Sequence, residues 1–130
     1  MDLSLAQDEI DCIQHLMGRI GCRDTVIEAG PLALVRDWTA FVARCEKGFA
    51  SDRDAFLQDL SVRTMLERLL GRLPRPLAHK LRDTVREADF RYRSIRKLST
   101  EFVMDARLAR RHPPDRDFWL YGWPETVRAR

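Results

Sequence analysis

The apolar positions of this chain fall into runs with helical spacing, separated by breaks that carry glycine or proline. The first run, Leu3, Ala6, Ile10, Ile13, Met17 and Ile20, steps by alternating threes and fours, and Leu5, Cys12 and Leu16 widen its face. That spacing turns one side of an α-helix toward a core, with Asp8, Glu9 and Asp11 in early turns where the helix dipole favours acids. Gly21 supplies a stop. Between Arg23 and Gly30 the β-branched run Thr25-Val26-Ile27 predicts a connector with a brief extended piece. A second helix opens at Pro31, in a first-turn position that needs no N–H donor, and ends at Gly48. It buries Leu34, Val35, Trp38, Phe41, Val42 and Cys45.

Ser51, with Asp54 three residues on, predicts the cap of a third helix that runs to the Pro74-Arg75-Pro76 break. Phe56, Leu57, Leu60, Val62, Met65, Leu66, Leu69 and Leu70 give it the broadest apolar face, so it is expected to be the most buried. From Leu77 to Arg111 a seven-residue repeat follows: Leu81, Val85, Ala88, Tyr92, Ile95, Ser99, Phe102, Ala106 and Ala109 keep one face turned to a partner. A helix of that extent would be roughly 50 Å long. His112-Pro113-Pro114 stops it, and the aromatic stretch Phe118-Trp119-Leu120-Tyr121-Gly122-Trp123-Pro124 follows. The expected fold is all-α: an antiparallel bundle of about four helices whose long last helix carries the aromatic tail packed on it. One domain is expected over residues 1–130, with the bundle in 1–112 and an aromatic, basic tail in 113–130.

With 130 residues, 45% hydrophobic and 33% charged, the chain suits one folded, helix-rich domain and excludes a disordered one. No run of 18 apolar residues is present to span a membrane. The opening MDLSLAQDEID is acidic where a secretory signal is basic and then apolar, so a cytoplasmic location is expected. The net charge of +3 conceals an asymmetry: residues 1–65 carry 7 basic and 11 acidic side chains, residues 66–130 carry 16 and 9. The second half therefore offers a field for an acidic partner.

Cys12, Cys22 and Cys45 are odd in number and widely spaced, as reduced thiols would be. With His15 they hold the ligand types of zinc, but the paired Cys-x-x-Cys knuckles of a structural site are missing, and neither a metal nor a cofactor is expected. Asp59 and Arg63, and again Asp89 and Arg93, stand one helical turn apart among apolar residues. With Glu46 and the Trp38 indole they predict a buried polar network that fixes helix register, or else a ligand-gripping or catalytic cluster. No nucleophile with a positioned histidine accompanies them.

Two surfaces point to partners. Arg86, Arg93, Lys97, Arg110 and Arg111 lie along or just beyond one flank of the long helix, where a nucleic-acid reader would place phosphate contacts, although acids interrupt the stripe. In the tail, Trp119, Tyr121 and Trp123 beside Arg116 are the residue types of interface hot spots, or else rings that cover the open end of the core.

The order Trp38-x-x-Phe41-Val42-x-x-x-Glu46-x-Gly48-Phe49, then Phe56-x-x-Asp59-Leu60-x-x-Arg63, then Asp89-Phe90 and a late tryptophan-containing segment ending at Pro124, resembles a family of small uncharacterised all-helical bacterial proteins. The resemblance spans residues 38–124 and implies no activity. Where that pattern ends in paired tryptophans, Trp119 and Trp123 are separated here. The expected function is that of a small binding module acting by protein–protein contact, as an accessory, adaptor or immunity-type protein. The alternatives are a nucleic-acid-binding regulator using the basic flank, and a small-ligand binder or enzyme using Glu46, Asp59, Arg63 and Asp89. An overhanging long helix would also suit a homodimer.

Overall fold

Among the residues described by the computed structural model, 5–95, 111, 116–121, 124 and 126–129, five helices pack against one another as an all-α bundle. Helix α1 (Gln7–Arg19) starts after Ala6, whose N–H donates to the Glu9 carboxylate at 3.0 Å. It buries Ile13 and Met17. Gly21, at φ +92°, ends it with two backbone bonds, Cys22 N–H to the Met17 carbonyl and Gly21 N–H to that of Gly18. That is the Schellman arrangement, which needs a residue free to adopt positive φ.

The Thr25-Val26-Ile27 run is not extended. It belongs to a short helix, α2 (Asp24–Ala29), so the bundle has one more helix than the pattern predicts. Local β-branched preference amounts to tenths of a kcal/mol per residue, and here packing overrides it. Val26 and Ile27 lie against the core, and the Gln14 side-chain amide donates to the Ile27 carbonyl at 2.9 Å.

Helix α3 (Pro31–Lys47) is the centre of the bundle and packs most extensively on α5 (Arg75–Ile95) and α4 (Arg53–Leu70). The expectation that the helix before Pro74 would be the most buried is therefore corrected. Helix α4 buries Phe56, Leu60, Leu66 and Leu69 but leaves Leu57, Ser61, Met65 and Arg68 on a partly open face. Its cap is Asp52 rather than Ser51: the Asp52 carboxylate accepts from the Ala55 N–H at 2.7 Å. Helix α5 buries Leu77, Leu81, Val85, Ala88 and Tyr92, the first half of the predicted stripe. The continuation through Ser99, Phe102, Ala106 and Ala109 lies outside the described residues.

The chain also forms a small parallel sheet that the apolar pattern does not predict. Strand β1 (Phe49–Ser51) pairs with β2 (Val127–Ala129) in the register Phe49 to Val127, Ala50 to Arg128 and Ser51 to Ala129. Gly48 makes this possible. It ends α3 at φ +86°, and a Cβ there would stand 2.8 Å from the Thr126 carbonyl oxygen. The Thr126 hydroxyl in turn donates to the Cys45 carbonyl in the last turn of α3, which also accepts the Gly48 N–H. A 3₁₀ turn at Phe118–Leu120 closes the core from the same C-terminal side. No helix among the described residues is long and apolar enough to cross a membrane.

Candidate functional site

Three helices meet at one buried polar node. The Asp89 carboxylate of α5 accepts from the Trp38 indole of α3 at 2.9 Å and from Arg63 Nε and Nη2 of α4, both at 2.8 Å. Arg63 is 1% exposed and Asp89 16%, so a forked, charge-assisted pair is held almost out of water. The Arg63 guanidinium lies 4.3 Å from the Trp119 ring, and its Nη1 is buried with no acceptor among the described residues. This node joins Trp38, Arg63 and Asp89 as the sequence predicts, and leaves out the other three candidates.

Glu46, expected in the same network, faces outward from the last turn of α3 and is forked by Arg91. That bond holds its carboxyl below the ordinary range. Asp59 pairs with Arg44 at 3.1 Å on the surface. Four residues along α4 offset Asp59 from Arg63 by about 40°, enough to leave Asp59 at the wetter edge of that side while Arg63 is buried. Arg93 does not reach Asp89; its guanidinium sits 4.0 Å over the Phe118 ring.

The described rings of the aromatic tail, Phe118, Trp119 and Tyr121, are core rather than an exposed anchor. Trp119 is 0% exposed and Tyr121 8%, which corrects their reading as partner-facing rings. The physical reason is that the Trp119 indole has a polar partner inside the fold: it donates to the Thr64 hydroxyl at 3.0 Å while its ring fills the gap against Arg63 and Phe118. Trp123 lies outside the described residues. Arg116 remains exposed, and its guanidinium forks onto the buried Asp117 at 2.9 Å and donates to the Arg111 carbonyl.

Burying this turn creates a cleft. One wall is the open face of α4, with Leu57, Ser61, Thr64, Met65 and Arg68; the other is Arg82, Asp89 and Arg93 of α5 together with residues 116–120. Arg19 and Ile20 at the end of α1 also line it, as do Arg72 and Arg111, and its volume is about 1100 Å³. Among the described lining residues, Glu67, Asp89 and Asp117 are the carboxylates, and each is engaged by an arginine: Arg82 at 3.2 Å, Arg63 and Arg116. Five arginines, Arg19, Arg68, Arg72, Arg93 and Arg111, line the same cleft without a carboxylate partner among the described residues. Arg19 and Arg68 stand in the last turns of α1 and α4, where the helix dipole offers each end about half a negative charge. That offsets about one of the five charges and leaves the described lining positive.

The predicted basic flank is divided by this geometry. Arg93 and Arg111 line the cleft, Arg86 is paired with Asp83 at 2.7 Å, and Lys97 and Arg110 lie outside the described residues. Sequence reasoning missed Arg19, Arg68 and Arg72, while Arg82 belongs to the same basic flank as Arg86 and Arg93. The spacing of Arg68 and Arg72 was a usable signal, but only the tertiary fold adds α1. The described part of the cleft contains no histidine or cysteine, and no three His, Cys, Asp or Glu side chains among the described residues are grouped to hold a metal. Cys45 is buried, and burial pushes its thiol up to about 12. Comparisons of the chain with family models, with curated proteins and with solved structures returned no match.

Proposed function

We propose that this protein is a non-catalytic binding module and that the arginine-lined cleft is where it takes its ligand, a polyanion. One observation carries the reading: five arginines without a carboxylate partner among the described residues converge on a single concavity whose three described carboxylates are already engaged. Gathering like charges costs free energy on folding, and low-dielectric walls focus their field onto whatever enters. A multiply charged anion relieves that repulsion. Arginine suits the task because its planar fork meets carboxylate and phosphate oxygens two at a time.

Binding rather than catalysis is favoured by the occupied state of the acids. General acid–base chemistry needs a carboxyl or imidazole free to exchange a proton, and the described lining carboxylates are tied to guanidinium groups. The test is titration calorimetry with inorganic polyphosphate, an oligoglutamate and an oligothymidylate, at about 50 and about 200 mM salt. At least one of these anions binds at low salt and weakens on a log–log salt plot, and Arg68→Glu/Arg72→Glu lowers its affinity. If none binds at low salt, or if charge reversal leaves affinity unchanged, the reading is wrong.

A further inference from the structure

Resting on the polyanion reading, we infer that the occupant of the cleft is an acidic segment of another protein, with apolar side chains between flanking carboxylates. The charges and the apolar surface are arranged in order. Along α4 the open face reads Leu57, Ser61, Thr64 and Arg68 at steps of 4, 3 and 4, with Met65 beside it and Arg72 beyond. The step from Leu57 to Arg68 is roughly 17 Å of helix. Glu67 pairs with Arg82, and Arg63 with Asp89, so α5 runs antiparallel to α4 along this wall. Arg93 therefore stands near the Leu57 end and Arg68 and Arg72 at the other. An aliphatic strip, with Leu57 and Met65 half-buried, lies between two positive ends.

This layout fits a protein segment better than a nucleic-acid strand. A single strand is held by bases stacked on open aromatic faces beneath a continuous basic track. Phe118 and Trp119, the aromatic rings lining the described cleft, are buried, and Arg93 and Arg63 lie over them. What is open is aliphatic: Leu57, Met65 and Ile20, the kind of surface that receives leucine or isoleucine of a partner. Ser61 and Thr64, small side chains in the middle of the α4 face, let a partner backbone approach. The partner contact expected from the sequence thereby moves from the tail to the cleft.

The experiment measures fluorescence anisotropy with three labelled probes: a peptide with a leucine pair flanked by glutamates, the same peptide with serine for leucine, and an oligothymidylate of equal charge. The full chain is compared with Leu57→Gln and with Arg68→Glu/Arg72→Glu, two positions on the partly open α4 face and one just past its end. The leucine peptide binds, the serine peptide binds about tenfold more weakly, and each variant lowers the affinity for the leucine peptide by about tenfold or more. Equal binding of the two peptides, or tighter binding of the oligothymidylate, overturns the protein-segment inference and leaves the polyanion reading standing. Silence from every probe, polyphosphate included, ends both. If light scattering instead finds self-association that Arg68→Glu abolishes, the occupant is a second copy and the inference fails.

Discussion

Replacing Asp89 by Asn tests the node on which three helices depend. The substitution keeps the size of the side chain and one carbonyl oxygen but removes the charge opposite Arg63, which is 1% exposed. Its amide would also set a donor against Arg63 Nη2, which now donates to Asp89 Oδ2 at 2.8 Å. Breaking a buried pair by removing one partner costs about 3–5 kcal/mol, because the remaining charge stays desolvated. Set against a typical stability of about 5–15 kcal/mol, that is a large share. Arg63→Met is the informative contrast. It leaves Asp89 at 16% exposure, still accepting from the Trp38 indole, and the methionine fills most of the arginine stem beside Trp119. Its cost is expected to be about 1–3 kcal/mol, less than that of Asp89→Asn. Urea unfolding followed by far-ultraviolet circular dichroism reads both. A loss under about 1 kcal/mol for Asp89→Asn, or a larger loss for Arg63→Met, refutes the argument that the deeper partner sets the cost.

Three other outcomes are expected. Gly48→Ala lowers the thermal midpoint, because the new Cβ meets the Thr126 carbonyl at 2.8 Å and the backbone stands at φ +86°; calorimetry that finds the midpoint unmoved contradicts the strand junction. Cys45 resists thiol reagents in the native state and reacts after unfolding, since it is buried with its thiol held near 12; mass spectrometry of labelled peptides reads this directly. Because the native thiol keeps its proton where the unfolded one, near 9, has lost it, the Cys45 contribution to stability is full below pH 9 and declines as pH rises toward 12. At the acid end the sign is opposite. The Arg91 fork lowers the Glu46 carboxyl, and the Ala6 N–H followed by Lys80 lowers that of Glu9, so their contribution is full above the ordinary value of 4.5 and is lost as pH falls below it. Glu9→Gln/Glu46→Gln should flatten that acid limb in pH-dependent urea titrations, and an unchanged limb would count against both pairs.

Much of the bundle was legible because burial imposes a period. The α3 face and the α5 face through Tyr92 follow directly from their apolar spacing, and Gly21 and Gly48 stop helices where positive φ is required. What the pattern could not supply is pairing between distant segments. Nothing in Phe49-Ala50-Ser51 or Val127-Arg128-Ala129 marks them as strands for one another, since three residues hold too little alternation to read. The same limit explains Asp59 and Glu46. An acid among apolar neighbours looks buried in a sequence, yet the helix can turn it outward to Arg44 or Arg91. For Trp38, Arg63 and Asp89 the inward direction was right because each lies on its helix's core side.

The aromatic tail shows why residue type alone does not separate an interface from a core. A dense set of rings lowers free energy wherever it leaves water, so the deciding question is whether the bundle has an open end with a polar group for the indole. Thr64 supplies that group, and Trp119 goes in. Once inside, the tail brings Arg111 and Arg116 to the side where Arg68, Arg72, Arg82 and Arg93 already stand. All six belong to residues 66–130, the half with 16 basic and 9 acidic side chains. The charge asymmetry is thus spatially concentrated, and the acids of the first half do not cancel it: Asp59 and Glu46 pair with arginines elsewhere, and Glu9 pairs with Lys80. A surplus that folding could have dispersed is instead held beside an open aliphatic strip, where an acidic segment would neutralise it.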